Sequence, residues 1–171
     1  MPYSNLIIET ERLIIRPFTM DDIEPAYVMN LDTEVSKYTG DGGAVSKKEI
    51  ERRITQDVLG DYKKYGFGRL AVELKAENKF IGFAGLKYLD DMDEVDLGYR
   101  FIKECWGKGI ATEAARECVN FGFKILGLTK IIVMVLPENS GSIRVLEKLN
   151  FKYEKDILED NQLAKLYSLS K

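Results

Sequence analysis

The chain has 171 residues, enough for about one domain, and its 45% apolar and 31% charged residues supply a core without disulfides or metals. With 25 Lys+Arg against 28 Asp+Glu the net charge is −3, which argues against a general nucleic-acid-binding surface. Histidine is absent altogether, which excludes Ser-His-Asp and Cys-His nucleophile pairs, His-ligated zinc and imidazole acid–base chemistry.

Met1 to Thr10 has no basic stretch leading into an apolar one, so it does not read as a signal peptide. Leu6 to Arg16 is rich in β-branched residues and leucine and reads as a strand ending at Pro17. Thr19-x-x-Asp22 is a capping box opening a helix towards Leu31, and Lys37 to Val45, with Gly40, Gly42 and Gly43, reads as a loop. A second box, Ser46-x-x-Glu49, precedes Ile50, Ile54, Val58 or Leu59, and Tyr62 at helical spacing. After Gly66 the period becomes two: Arg69 to Leu74 and Lys79 to Tyr88 form a hairpin turning near Glu77-Asn78.

The acidic segment Asp90 to Glu94 leads into a strand from Val95 to Ile102. A glycine-rich turn and a helix from about Gly109 to Ile125 follow. Ile131 to Leu136 is a buried strand and the longest clean apolar run, far short of the ~18 residues of a membrane span. Pro137-Glu138-Asn139-Ser140 then starts a helix to about Leu149, and Phe151 to Leu158 and Leu163 to Leu169 are the last two strands. The order predicts a mixed α/β fold in one domain over residues 1–171. Cys105 and Cys118 are too few for a metal cage and read as free thiols in a reducing, cytoplasmic setting. No metal, membrane or nucleic-acid partner is expected.

Trp106-Gly107-Lys108-Gly109-Ile110-Ala111-Thr112-Glu113-Ala114 lies between an expected strand and an expected helix. There, successive backbone amides and the positive end of the helix dipole can converge on an anion, and glycines let the backbone come close. Without a terminal Gly-Lys-Ser/Thr it is not a Walker loop, and without a third glycine it is not a Rossmann fingerprint. A plain strand-to-helix connection would account for Gly-x-Gly by itself.

The turn resembles the acyl-CoA pyrophosphate loop of the GNAT N-acetyltransferases, Arg/Gln-x-x-Gly-x-Gly/Ala, with Trp106 in place of the Arg/Gln and Gly109 and Ala111 in the last two places. Its longer form, Trp-Gly-Lys-Gly-x-Ala-Thr-Glu-Ala, is similar to the RimJ/RimL-like branch, which acetylates ribosomal-protein N-termini. Glu9-Thr10-Glu11-Arg12-Leu13-Ile14-Ile15-Arg16 resembles that branch's opening strand. Asn139-x-x-Ser142 and Val145-Leu146-Glu147-Lys148-Leu149-Asn150-Phe151 resemble its last helix and closing Gly-Phe turn.

The resemblance implies a GNAT acyl-CoA N-acyltransferase fold: a central, mostly antiparallel sheet flanked by helices, with its fourth and fifth strands parallel and splayed. These would be Val95–Ile102 and Ile131–Leu136. It also implies acetyl-CoA as co-substrate, held by the amides of Gly107, Lys108, Gly109, Ile110, Ala111 and Thr112 at the pyrophosphate. The strand from Leu97 to Phe101, including Tyr99 and Phe101, would pair with the pantetheine arm. Asn139 would bond that arm near the thioester, and Ser142 the sulfur. Many relatives carry a tyrosine acid four residues after the position of Ser142; Leu146 stands there, so Ser142 is the nearest substitute. Asn150 replaces the family's glycine and should keep its turn, because asparagine tolerates the left-handed conformation.

Amide formation from a thioester needs a neutral amine, a donor for the carbonyl oxygen and support for the leaving sulfur. An α-amine, titrating near ~7.7–8.0, needs less help from a base than a lysine-like amine near ~10.4. Asp96 is the candidate base, with Glu94 on the same face of its strand. A solvated face of ordinary carboxylates explains either residue equally well. Asp90, Asp91, Asp93, Glu94 and Asp96 would form either a solvated loop or an acidic rim for a cationic substrate. The expected activity is transfer of acetyl to a protein or peptide N-terminal α-amine. The alternatives are a small-molecule amine (polyamine, amino acid or aminoglycoside) as acceptor, or an acyl-CoA-binding module without turnover. The chain would act as a monomer or homodimer.

Overall fold

The segment expected as one strand from Leu6 to Arg16 is a hairpin in the computed structural model, which describes residues 5–38 and 43–171. Gly40 and Gly42 of the expected loop lie outside those residues. Strands β1 (Ile8–Glu9) and β2 (Leu13–Pro17) flank the polar residues 10–12. Thr10 N–H donates to the Leu13 carbonyl at 3.0 Å, and Leu13 N–H donates to Thr10 Oγ1 at 3.0 Å. Thr-Glu-Arg offers no apolar side chain to a sheet, so the chain turns there.

Asp22 accepts from Thr19 N–H at 2.8 Å, and a short 3₁₀ turn passes into helix α1 (Ile23–Leu31). A helix not foreseen, α2 (Thr33–Ser36), begins where Asp32 caps Glu34 N–H. Ser46 Oγ accepts from Glu49 N–H at 3.1 Å and opens α3 (Lys47–Arg52). The Glu49 carboxylate goes forward to Arg52 and Arg53 rather than back to the cap, so the second box is made by one half only. The expected regular helix instead passes through a π-helical stretch, Arg53–Val58, before α4 (Leu59–Tyr65).

The remaining strands are β3 (Arg69–Leu74), β4 (Lys79–Leu89), β5 (Glu94–Phe101), β6 (Lys130–Val135), β7 (Lys152–Glu159) and β8 (Gln162–Ser170). They form one sheet in the order β1-β2-β3-β4-β5-β6-β8-β7, antiparallel except for β5 and β6. That parallel pair has a single register point, Asp96 opposite Ile132. From Leu97 to Phe101, β5 is paired to β4, and its other edge turns away from β6.

Helices α5 (Ile110–Lys124) and α6 (Ser140–Lys148) follow β5 and β6. Alternation along β3 divides the core. Leu70 and Val72 join Leu86, Leu97, Ile131, Leu146 and the α5 residues Ala114, Ala115 and Cys118 in the larger cluster. Ala71 joins Phe18, Ile23, Ile50 and Ile54, from the α1 and α3 side, in the smaller one. The turn after α6 survives the family's missing glycine: Asn150 adopts φ 67°.

Candidate active site

The connection from β5 to α5 is a backbone cradle. Gly107 and Gly109 have φ of 72° and 78°, a region unfavourable to residues with a Cβ. No side chain caps α5, and its first-turn amides, Ile110 to Thr112, have no acceptor within the helix. The cradle is buttressed from both sides. Trp106 Nε1–H donates to the Phe101 carbonyl at 2.9 Å. Arg12 donates to the Lys108 carbonyl at 2.8 Å and to Glu113 at 3.3 Å, and Thr10 Oγ1 donates to Glu113 at 3.1 Å. The opening Glu-Thr-Glu-Arg segment therefore reaches the glycine loop about a hundred residues later in the chain, which nothing in its local pattern indicates. Convergent amides at the end of a 15-residue helix fit a pyrophosphate.

Below the cradle, the exposed edge of β5 faces the start of α6. Phe101 is buried in the larger cluster, while the half-buried Tyr99 crosses the gap. Tyr99 Oη lies 2.8 Å from Ser142 Oγ and 3.3 Å from the Ser142 carbonyl. Burial pushes the Tyr99 phenol up to about 12, with Ser142 acting in the opposite sense. Asn139 Oδ1 accepts from Ser142 N–H at 3.2 Å, which leaves the Asn139 amide group as a donor. Leu146, where many relatives carry a tyrosine, is fully buried and outside the cleft lining.

Asp96 sits where β5 and β6 begin to part. Arg69 donates to its carboxylate at 2.5 Å, to its carbonyl at 3.0 Å and to the Gly85 carbonyl at 2.6 Å. The guanidinium lies over Gly98, where an added Cβ would come within 2.5 Å of it. Burial raises the Asp96 carboxyl above its ordinary range, and Arg69 pulls it back. Arg69 has no signal in its local sequence beyond a charged residue opening an apolar strand.

The acidic segment is taken up locally. Asp90 accepts from Tyr65 at 2.6 Å, Asp93 from Tyr88 at 2.5 Å, and Glu94 from Lys130 at 3.1 Å. Of the five carboxylates Asp90, Asp91, Asp93, Glu94 and Asp96, Asp96 alone lines the cleft. That cleft, about 900 Å³, runs from Gly107–Gly109 past Tyr99, Asn139 and Ser142 to Asp96 and beyond. Its far end carries Glu34, Asp57, Asp61, Glu159 and Asp160, with Arg53 and Lys87 among them. Asp57 is bound by Arg52 at 3.0 Å, and burial raises the Asp61 carboxyl, with Lys87 opposing. Sequence reading passed over this group because its members come from four separate segments. Cys105 and Cys118 are free and buried; burial pushes the Cys118 thiol to about 12, leaving it inert. Among the described residues no helix is long and apolar enough to cross a membrane.

The GNAT acetyltransferase domain model matches residues 12–152. Uncharacterized N-acetyltransferase YoaA of Bacillus subtilis is 32% identical over 151 residues, covering 86% of this chain and 84% of that protein. Spermidine N(1)-acetyltransferase of Escherichia coli K12 is 25% identical over 150 residues, covering 85% of this chain and 76% of that protein. Among solved structures, a GNAT-family acetyltransferase from Bacillus anthracis superposes with a TM-score of 0.81 at 27% identity, covering 96% of this chain and 98% of that one.

Proposed function

The chain belongs to the GNAT acetyltransferases, and on that premise we propose that it moves acetyl from acetyl-CoA to the α-amine of a protein or peptide N-terminus, as the RimJ/RimL-like branch does. The observation that carries this reading is the continuity of one surface. The amide cradle at Gly107–Thr112 leads along the free edge of β5 to Asn139, Ser142 and Asp96. The cradle amides take the pyrophosphate, with Lys108 beside them, and the backbone of Leu97 to Phe101 pairs with the pantetheine arm. The Asn139 amide donates to the arm near the thioester, and Ser142 donates to the sulfur.

Acetyl-CoA supplies the activated acyl group. Asp96, through a water molecule, takes the proton lost by the amine. A carboxyl raised by burial lies closer to the working pH of a base than an ordinary aspartate does. An α-amine, with its low pKa, matches such modest assistance.

A small cationic amine is the second reading. It is supported by the carboxylates Asp57, Asp61 and Asp160 at the far end of the cleft, and by the likeness to spermidine N(1)-acetyltransferase. The test is free-thiol release from acetyl-CoA over a panel of peptides beginning with Ala, Ser or Met, polyamines and aminoglycosides. Saturable turnover with a peptide class supports the first reading, and turnover confined to polyamines or aminoglycosides replaces it with the second. CoA binding without release across the panel would reject both acceptor classes and favour a binding module.

A further inference from the structure

The family resemblance implies a tyrosine at position 146, where Leu146 stands, yet the structure brings a tyrosine to Ser142 from the opposite wall of the gap. We propose that Tyr99 is a positioning residue for acetyl transfer, donating its phenolic proton to Ser142 Oγ so that the serine's own proton points at the leaving sulfur. The inference rests on the reading of Ser142 given above.

Three contacts hold Ser142. Its N–H is tied to Asn139, its carbonyl lies 3.3 Å from Tyr99 Oη, and its hydroxyl lies 2.8 Å from the same Oη. The shorter contact identifies the hydroxyl as the main partner. Either oxygen could donate by distance alone, so chemistry decides between them. The phenol, pushed up to about 12, keeps its proton throughout the neutral range. Both hydroxyls keep their protons there, but a phenol is the more acidic of the two and hence the better donor, while it remains too weak an acid to surrender that proton to a thiolate, whose conjugate acid titrates near ~8.5. A hydroxyl that accepts on one side directs its single proton elsewhere. Ser142 lines the cleft, so the cleft is open to that proton.

The step balances without a proton from Tyr99. The amine lone pair bonds to the acyl carbon, and the C–S bond breaks with its electrons passing to sulfur. The amine's proton leaves towards Asp96 and solvent, and Ser142 donates a hydrogen bond to the emerging thiolate. Tyr99 remains neutral throughout. Its task is to remove the rotor states in which the serine points away from the sulfur.

The test uses the full chain with acetyl-CoA and whichever amine the panel identifies. It compares Tyr99→Phe, Ser142→Ala and the double variant. Two readouts are needed: steady-state rates, and the thiol pKa of bound CoA followed by the ultraviolet absorbance of its thiolate. Tyr99→Phe should lower kcat by up to about tenfold, the upper range of one hydrogen bond, with KM for acetyl-CoA nearly unchanged. It should also raise the bound thiol pKa. The double variant should be no worse than Ser142→Ala alone, because the phenol acts only through the serine.

Independent, additive losses would overturn the inference, as would a Tyr99→Phe variant whose only defect is weaker CoA binding. If Ser142→Ala lowers kcat and raises the thiol pKa while Tyr99→Phe does neither, the inference fails and the reading of Ser142 stands. If Ser142→Ala changes neither quantity, the reading of Ser142 fails and the inference with it.

Discussion

Where we propose that the donor binds, an anion would meet the amides of six consecutive residues, 107 to 112, at the head of one helix. Where we propose that the acceptor binds, an amine would meet side chains from α2, the π-helical stretch, α4 and the β7–β8 hairpin, represented by Glu34, Asp57, Asp61 and Asp160. The donor end uses backbone, so it depends on conformation and tolerates many side chains except where φ is positive. The acceptor end uses charge, so each carboxylate can change while the fold persists. A donor site of this kind is written in one stretch of sequence, whereas an acceptor site of this kind is assembled only when the chain closes.

That contrast can be broken most severely at the junction of the two ends. Asp96→Asn should lower kcat/KM by about 10²-fold at neutral pH, the lower range for a positioned base. The pH profile gives the sign. A base works when deprotonated, so wild-type activity should fall as pH drops through the raised Asp96 pKa, and the variant should lack that acidic limb. An unchanged profile would remove Asp96 from the chemistry.

Next in size is the donor end. Gly109→Val places a β-branched residue at φ 78°, at a cost of about 1–2 kcal/mol, so kcat/KM for acetyl-CoA should fall about tenfold with the acceptor KM unchanged. Asp61→Asn should do the reverse, raising the acceptor KM about threefold and leaving the acetyl-CoA KM alone, as a partly screened charge would. A parallel effect on both constants in either variant would merge the two ends into one site. Arg12→Met should raise the acetyl-CoA KM about twofold by loosening the Lys108 carbonyl, a contact only half shielded from water. Smallest of all, Asp91→Asn should change neither constant, because Asp91 is exposed and outside the cleft lining.

The elements with local signals were the legible ones. Capping residues marked the starts near Thr19 and Ser46, alternation marked β3 to β5, and the glycine turn marked α5. The misreadings share a cause. Leu6 to Arg16 reads as a single strand because its apolar residues outnumber the Thr-Glu-Arg break, whose turn is anchored by Glu113 far along the chain. The π-helical stretch at Arg53–Val58 leaves the apolar spacing helical and carries no local mark. Asp96 could be nominated from its strand, but its buried pairing with Arg69 across β4 had no local trace.

By itself, then, the sequence determined the fold class through periodicity and turn chemistry, and the family through the resemblance of its glycine turn and flanking motifs; Gly107 and Gly109 also marked the connection into α5, because such signals act over a few neighbouring residues. Tertiary structure alone decided which carboxylates face the cleft, which cation holds Asp96, and that Tyr99 meets Ser142. Those are contacts between side chains 27 and 43 residues apart, set by the divergence of β5 from β6 after their single register point. Long-range pairing depends on how whole faces pack, and no local pattern encodes it.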